Sequence, residues 1–533
     1  MRSARPEEAG DRLARLAASP WLHGLGLAAL SAAFEALFLR HGLNALDEGW
    51  PLYAAMQLHE GGVLYRDVFF VFPPGHALGA WLAYAWSPPG VVPARVFYAA
   101  FNVLLCVALY LLGRRLMPPA LALLAGARVA VAAPDSHGSH YLFGYRYMLF
   151  SVVALWCFSE RLRTGERRWM VVAGALAGVA LVFRLDPALT AVGGIGAGVL
   201  VAERRWRSWW ADGSRFALGF AAMVVPVLAW FAAGVGLETL WREAVVRPIA
   251  MTDLQSLPLP PLLLPLTGDR WVIRRTFVTV QFRLYALLYL VFAAVLLTRL
   301  VRALAAGRRF ETPLPLAVAT WGGLFFLRSF GRSDEAHLDS AAPAALLIVA
   351  YALGVPLRGA LASPGWRRRA AGVALAGFFA AWTFLTAADR YLGRQVRGTL
   401  PVRTLGGATQ IRPNHRWRDF DRIVEEIRAR TEPGDVVLDL TASSLLHVVS
   451  QRKGPGQADV LMPGTFLDAQ EERSFVARLQ RSPPALVIAP VAPFDRMPER
   501  ALERWAPRVA RWVRARYEVQ AQVGPFRLMV PRR

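Results

Sequence analysis

The sequence predicts a mostly α-helical membrane protein, a polytopic bundle of transmembrane helices followed by a small α/β domain outside the membrane. Hydrophobic residues make up 55% of the chain, and charged residues cluster between apolar segments, which is typical of a protein with many membrane spans. After Ala388 the hydropathy falls, and short helical and strand patterns alternate to the end of the chain. We therefore predict a transmembrane domain in residues 1–388 and an exterior domain in residues 389–533.

Eleven apolar segments are candidates for the spans. Several are only about 15 residues long, whereas a full crossing needs roughly 20, so we expect some helices to be tilted or buried inside the bundle. An odd number of spans puts the two ends of the chain on opposite sides of the membrane. The predicted spans are residues 21–39, 92–112, 118–133, 145–160, 169–183, 188–202, 216–236, 282–301, 313–327, 340–356 and 370–388.

The chain is strongly basic, with a formal net charge of +23, and Lys453 is the only lysine, so nearly all of its basic residues are arginines. Such a surplus can indicate nucleic-acid binding, but here the arginines cluster in alternate connections between spans, the pattern that marks cytoplasmic loops. We predict a multi-pass protein of the plasma (inner) membrane, with a cytoplasmic N-terminus, an exterior C-terminal domain and no nucleic-acid partner. The exterior stretch 237–283 is rich in arginine against this rule, and we expect its arginines to have a specific role.

The first exterior loop is highly charged for a segment that directly follows a membrane span. Its polar candidates are Asp47, Glu48, Arg66, Asp67 and His76. Two carboxylates at the mouth of a membrane helix can act as general base and orienting partner toward a substrate in the interface. Because neighbouring residues point in different directions, only one of Asp47 and Glu48 is expected to face the substrate. The alternative is a solvated loop without a catalytic role.

The segment 77–86 lies between two double prolines and is too short to cross the membrane. Its aromatic residues suit the boundary between lipid and water. We predict a helix in the outer interface, with Trp81, Tyr84 and Trp86 as its anchors.

Arginines also gather at two later exterior turns. The FRLDP turn contains Arg184 and Asp186, and the LRSFGRSDEAHL turn contains Arg328, Arg332 and His337. Arginine forks match the geometry of phosphate oxygens, so we predict that Arg184, Arg328, Arg332 and His337 bind a phosphate at this depth. The alternatives are an internal ion pair at the first turn and a solvated loop at the second.

Two further features leave alternatives open. Glu35 and Arg128 interrupt apolar spans, where charges usually pair or serve a function, and a pair between them is one hypothesis. The proline-rich exterior segment 241–271 is either a gate over a groove for a lipid tail or an ordinary loop packed on the bundle.

No cofactor is predicted. Cys106 and Cys157 both lie inside apolar spans, and the sequence has no zinc-type Cys/His spacing, P-loop, G-x-S-x-G or dinucleotide fingerprint in a suitable context. A divalent metal stays open. ATP-driven chemistry is not indicated.

The order and placement of these motifs resemble the GT-C superfamily of integral-membrane glycosyltransferases, and within it the protein mannosyltransferases and lipid A aminoarabinose transferases. The likeness covers nearly the whole chain. It rests on a basic-flanked first span followed by Asp47-Glu48, then YRDVFFVFPPG, the FRLDP turn, the SLPLPP loop, the GRSDEAHL turn and an exterior α/β tail.

The resemblance implies a sugar donor linked to a polyprenyl phosphate, an acceptor hydroxyl outside the membrane and inversion at the anomeric carbon. Asp47 matches the first-loop acid of the family and is the implied base, with Glu48 expected to orient. The acceptor is expected to be an envelope glycan, lipid or protein, and the enzyme a hexosyl- or pentosyltransferase. The remaining candidates for substrate binding are Tyr65, Arg66, Asp67 and His76.

Two other classes of protein fit parts of the pattern. A transporter or flippase of a polyprenyl-linked sugar also needs intramembrane charges, but the paired repeats with interrupted helices that are common in transporters are absent from this sequence. A noncatalytic scaffold whose exterior domain binds the cell envelope is the second alternative. A glycosyltransferase is favoured because the acidic first loop is asymmetric.

Overall fold

The computed structural model describes residues 19–87, 90–132, 145–203, 205–257, 270–333, 337–338 and 341–362, scattered residues between 365 and 388, and residues 400–403, 409–411, 417–493 and 496–533. The first part is helical, and a small mixed sheet lies near the C-terminus. The predicted class, a transmembrane helix bundle with a small α/β domain, is confirmed. The side of the membrane on which that domain lies stays a prediction, and the name exterior domain is kept for residues 389–533 as a label.

Helices occupy ten of the eleven predicted spans, and the eleventh, residues 370–388, lies partly outside the described residues. Several helices begin with proline in the first turn, where the missing N–H costs nothing. The helices are α1 (Pro20–Phe38), α2 (Gly49–His59), α3 (Gly75–Tyr84), α4 (Val91–Leu116), α5 (Pro119–Ala132), α6 (Met148–Thr164), α7 (Arg168–Phe183), α8 (Leu185–Ala202), α9 (Trp206–Val235), α10 (Leu237–Trp241), α11 (Arg247–Gln255), α12 (Arg270–Ala305), α13 (Pro313–Arg328) and α14 (Ala342–Ala362).

Five of the described helices, α1, α4, α8, α9 and most of α12, are long and apolar enough to cross a membrane. The shorter apolar helices α5, α7 and part of α14 complete the bundle. Small residues let the helices approach closely: a Cβ atom on Gly174 of α7 would lie 1.9 Å from the carbonyl oxygen of Phe216, and one on Gly219 of α9 would lie 1.9 Å from that of Val171.

The predicted short helix is observed as α3, two residues earlier than predicted, and its place in the outer interface stays a prediction. Trp81 and Trp86 are exposed, as anchors in an interface must be. Tyr84 is buried, so the prediction that it is an anchor is wrong. It lies on the face of α3 that packs against the bundle, together with Ala80 and Ala83.

The exterior domain contains short helices and a mixed sheet. The elements are β1 (Leu400–Val402), β2 (Thr409–Ile411), α15 (Phe420–Arg430), β3 (Val437–Asp439), α16 (Leu445–Ser450), α17 (Ala469–Arg481), β4 (Leu486–Pro490), α18 (Leu502–Trp505), α19 (Pro507–Arg516), β5 (Tyr517–Val523) and β6 (Phe526–Pro531). Four strands form one sheet in the order β3-β4-β6-β5, in which β3 and β4 are parallel and the other pairs antiparallel. Helices α18 and α19 are separate because Pro507 lacks an N–H and begins a new helix.

The exterior domain docks on the first loop. The Leu445 N–H donates to the Ala45 carbonyl at 3.2 Å, and Gly49 allows α2 to approach α16, since a Cβ there would lie 2.3 Å from the backbone nitrogen of Leu445. Tyr53 of α2 donates its hydroxyl to Asp459 at 3.2 Å. The first loop and the exterior domain therefore lie at the same end of the bundle.

Two arginines of the exceptional stretch 237–283 contact the same domain. Arg242 pairs with Glu471 of α17, and the buried Arg247 lies 3.0 Å from the same carboxylate. Arg247 also pairs with Glu243 at 2.7 Å. Arg242 and Arg247, which the arginine rule for cytoplasmic loops does not explain, therefore have a structural role.

We expect Gly49→Ala to weaken the contact between the first loop and the exterior domain. The added methyl group would collide with the backbone of Leu445, which cannot move aside as a flexible side chain can. The measurement is limited proteolysis of the purified protein between the two domains. Gly26→Ala is the control, since a Cβ on Gly26 of α1 meets nothing within 4 Å. Equal protease resistance of the two variants would show that the close contact does not hold the domain.

Candidate active site

The connection between α1 and α2 is fixed by a buried ion pair between Glu48 and Arg95 of α4. Arg95 Nε lies 2.7 Å from Glu48 Oε1 and its Nη2 lies 2.6 Å from Oε2, with both side chains wholly buried. Three more bonds reach the carbonyl oxygens of Leu39, His41 and Gly42 at 2.9, 3.2 and 2.9 Å. Together these bonds match the five N–H groups of the guanidinium, so the arginine is fully satisfied.

Hydrogen bonds through Asn44 link Glu48 to Asp47. The Asn44 N–H donates to Glu48 Oε2 at 3.2 Å, while its side-chain amide donates to Asp47 Oδ2 at 2.7 Å and accepts from the Asp47 N–H at 3.0 Å. Burial raises the pKa of Glu48, while the charge and hydrogen bonds of Arg95 oppose that shift. Glu48 faces inward and Asp47 is half-buried, so the two carboxylates have different surroundings. An orienting role for Glu48 fits these contacts and stays a prediction.

His76 lies in a stack of aromatic rings beside the FRLDP turn. Its ring centroid is 5.6 Å from that of Phe72 and 4.4 Å from that of Tyr147, and its carbonyl accepts from the Tyr98 hydroxyl at 2.8 Å. Gly75 permits this packing, because a Cβ there would lie 2.7 Å from the carbonyl oxygen of Val182. Burial, and then the positive charge of Arg184, lower the pKa of His76 well below its usual value, so the ring is neutral at neutral pH.

Arg184 and Arg328, two of the predicted phosphate ligands, meet at one carboxylate. Arg184 Nε lies 2.6 Å from Asp186 Oδ1, and Arg328 Nε lies 2.5 Å from Asp186 Oδ2. The arginines come from the turn between α7 and α8 and from the last turn of α13. All three side chains are mostly buried. Two guanidiniums and one carboxylate therefore form a compact group, called the arginine group below, with one more positive than negative formal charge.

The other two predicted phosphate ligands lie on the chain that follows α13. Arg332 Nη1 donates to the Gln255 carbonyl at 3.0 Å, which joins this turn to the end of α11. Gln255 in turn donates its side-chain amide to the Pro463 carbonyl at 3.2 Å, which links both to the exterior domain. His337 is half-buried, and its neighbours 334–336 lie outside the described residues.

Tyr65, Arg66 and Asp67 have local structural contacts, and their predicted role in substrate binding stays a prediction. The Tyr65 hydroxyl donates to the Phe72 carbonyl at 2.8 Å, which holds Tyr65 at a φ of 69°, uncommon for a bulky residue. Arg66 and Asp67 pair at 2.9 Å near the surface. Asp67 also accepts from the Val63 N–H, and its hydrogen bond to Arg66 lowers its pKa.

The protein's fold agrees with that of solved membrane glycosyltransferases. ArnT from Cupriavidus metallidurans bound to undecaprenyl phosphate matches with a TM-score of 0.57 and 16% identity, covering 95% of this chain and 97% of that chain. ArnT from the same organism in the apo state matches with a TM-score of 0.55 and 15% identity over 96% and 98% of the two chains. The chain has a GT-C fold.

Two further comparisons agree with the GT-C fold. The archaeal oligosaccharyltransferase AglB from Archaeoglobus fulgidus, in complex with an inhibitory peptide and a dolichol-phosphate, matches with a TM-score of 0.50 and 14% identity over 94% of this chain and 74% of that chain. The family model described as dolichyl-phosphate-mannose-protein mannosyltransferase matches residues 72–230, which include the FPPGH and FRLDP motifs. No curated protein matches the sequence. The resemblance to GT-C glycosyltransferases is confirmed.

Sequence reasoning missed several residues of this candidate site. Arg95 and Arg146 both lie inside predicted spans, where a charge is a signal, but neither was singled out. Glu35 lies 3.1 Å from Arg146, so its partner among the described contacts differs from the hypothesised Arg128. Asn44 carries no signal beyond lying three residues before Asp47. Among the described residues, no group of three or more His, Cys, Asp or Glu side chains is arranged to hold a metal ion.

We expect Glu48→Gln to destabilise the GT-C bundle by about 3 to 5 kcal/mol, because it leaves the Arg95 charge buried and uncompensated. Thermal unfolding in detergent measures the effect. Glu166→Gln is the matched control, since Glu166 pairs with Arg168 at an exposed site, where such pairs contribute about 0 to 1 kcal/mol. If the two variants unfold at the same temperature, the buried pair does not hold the loop.

Proposed function

We propose that this protein is a membrane glycosyltransferase that moves a sugar from a polyprenyl-phosphate donor to an acceptor hydroxyl on the outer face of the membrane. The observation that carries the proposal is the convergence of Arg184 and Arg328, at the end of the bundle that also holds Asp47. The GT-C fold supports it. So does the undecaprenyl phosphate bound by ArnT, since it is of the class of lipid phosphate that the proposed donor releases.

The proposed role of Arg184 and Arg328 is to stabilise the leaving phosphate. When the bond between the anomeric carbon and the phosphate oxygen breaks, negative charge grows on the phosphate, and fixed guanidinium donors in a water-poor site stabilise it. Arg184 and Arg328 are largely buried and need no metal for this role. In this scheme Arg332 and His337 complete the phosphate site. The neutral His76 packs beside the turn that carries Arg184.

Asp47 is the proposed base. The acceptor hydroxyl attacks the anomeric carbon from the face opposite the phosphate and gives its proton to the Asp47 carboxylate, so the configuration inverts and polyprenyl phosphate leaves. One hydrogen bond from the Asn44 amide holds the carboxylate, the Asp47 N–H donates back to the Asn44 side chain, and the Asn44 N–H donates to Glu48. A short carboxylate held through both its side chain and its backbone is suited to this task.

The remaining assignments follow from the topology. The first loop, the arginine turns and the exterior domain share one end of the bundle, and the charge pattern favours the outer side for that end. We propose that the protein lies in the plasma (inner) membrane with its N-terminus cytoplasmic. The acceptor class proposed is an envelope glycan, lipid or protein, and the transferred sugar a hexose or pentose.

We expect Asp47→Asn to lower the single-turnover rate about 10²- to 10⁴-fold with donor binding largely kept, because the amide cannot take the proton. The assay follows transfer from saturating polyprenyl-phosphate sugar to a crude envelope fraction. Asp435→Asn, at an exterior turn away from the site, should react like the wild type. A near wild-type rate for Asp47→Asn would remove Asp47 from the mechanism.

We expect Arg328→Ala to weaken binding of undecaprenyl phosphate roughly tenfold or more, because a charge-assisted contact to phosphate contributes about 1.5 to 3 kcal/mol. Binding to the purified protein in detergent is the measurement. Arg168→Ala is the control, since Arg168 lies at the other end of α7. Unchanged affinity in a folded Arg328→Ala protein would make the arginine group structural.

A further inference from the structure

We propose that Asp186 lowers the positive charge of the phosphate site and thereby reduces the preference of the protein for the more highly charged lipid phosphate, which remains after transfer, over the singly charged sugar donor. The carboxylate thereby promotes release of the product. The inference rests on the proposed function and adds a residue to which neither the sequence motifs nor the resemblance assigned a role at the phosphate.

The geometry makes Asp186 a shared counter-ion. Each of its oxygens contacts one guanidinium Nε, Arg184 at 2.6 Å and Arg328 at 2.5 Å. With about a fifth or less of each side chain exposed, water screens the three charges poorly. The Asp186 carbonyl accepts from the Thr190 hydroxyl at 2.9 Å, and the residue lies in the first turn of α8, where a negative charge is stabilised by the helix dipole.

The charge balance distinguishes donor from product. Arg184, Arg328 and Arg332 make the proposed phosphate site positive, and the Asp186 carboxylate lowers its net charge by one unit; the neighbouring His76 is neutral. A polyprenyl-phosphate sugar is a phosphodiester with one negative charge, whereas polyprenyl phosphate is a monoester with about −1.5 to −2 at pH 7. Each positive charge at the site strengthens the binding of the monoester more than that of the diester, so the Asp186 charge reduces the preference for the product.

A purely structural role predicts something different. If Asp186 only clamps Arg184 to Arg328, its loss should weaken the binding of singly and doubly charged phosphates to the same degree. If it sets the charge, its loss should shift the preference between them. The preference is therefore the informative quantity.

The experiment measures binding of undecaprenyl phosphate and of its monomethyl ester, a singly charged diester, to the purified full-length protein at pH 8. The ratio of the two dissociation constants in the wild type is the reference. In Asp186→Asn the ratio of the two dissociation constants should move about tenfold toward the monoester, since a unit charge is removed a few ångströms from the phosphate. Asp186→Glu should keep the wild-type preference.

The matched control is Asp212→Asn. Asp212 also lies between two arginines, 3.0 Å from Arg161 and 3.6 Å from Arg167, but near the opposite end of α7. Its substitution should leave the ratio unchanged. A ratio for Asp186→Asn equal to that of the wild type would overturn the inference, including when both affinities fall together. Should Asp186→Asn fail to fold, Asp186→Glu with a preference shifted toward the monoester would also overturn it. Failure of the proposed function is distinguishable, because the wild type would then bind neither lipid.

Discussion

The ion pair between Glu48 and Arg95 is the interaction on which the site depends. Both side chains are wholly buried, a placement that is stable only when the charges meet each other and every remaining donor finds an acceptor. Arg95 meets that condition with its bonds to Glu48 and to three carbonyls after α1. The pair thus fixes the segment that carries Asn44 and Asp47, and with it the Ala45 carbonyl that receives the exterior domain.

Helix α4 links this pair to the arginine turns. Tyr98 lies one turn after Arg95 and donates to the His76 carbonyl, and the ring of His76 lies against Tyr147, which stacks on Phe183 next to Arg184. Packed rings therefore run from Tyr98, one turn after Arg95, to the turn that carries Arg184. A change in α4 near Arg95 would disturb both the first loop and this turn.

The sequence was informative where one residue type or period decides the structure. Apolar runs predicted the helices from Pro20 to Ala362, and strand and helix patterns predicted most of the exterior domain. The charge rule also signalled correctly that arginines such as Arg247 have particular partners. The clustering of arginines predicted that Arg184 and Arg328 belong to one site, although the two turns are far apart in the chain.

The sequence did not predict which residues pair across the bundle. The period of apolar residues identifies the buried face of a helix but not the helix against which that face packs. Glu35 pairs with Arg146, and Tyr84 turns toward the bundle, although its composition suits an interface. Glu48 faces Arg95, a contact between residues separated by 47 positions that depends on how α1 and α4 pack. Such pairings are set by tertiary geometry, which the local sequence does not encode.

The most direct test of the account is a cryo-electron microscopy structure of the wild-type protein with undecaprenyl phosphate. The account predicts density for the phosphate within hydrogen-bonding distance of the Arg184 and Arg328 guanidiniums, at the end of the bundle that carries Asp47. Phosphate bound instead at the opposite end, beside Arg161 and Asp212, would contradict it.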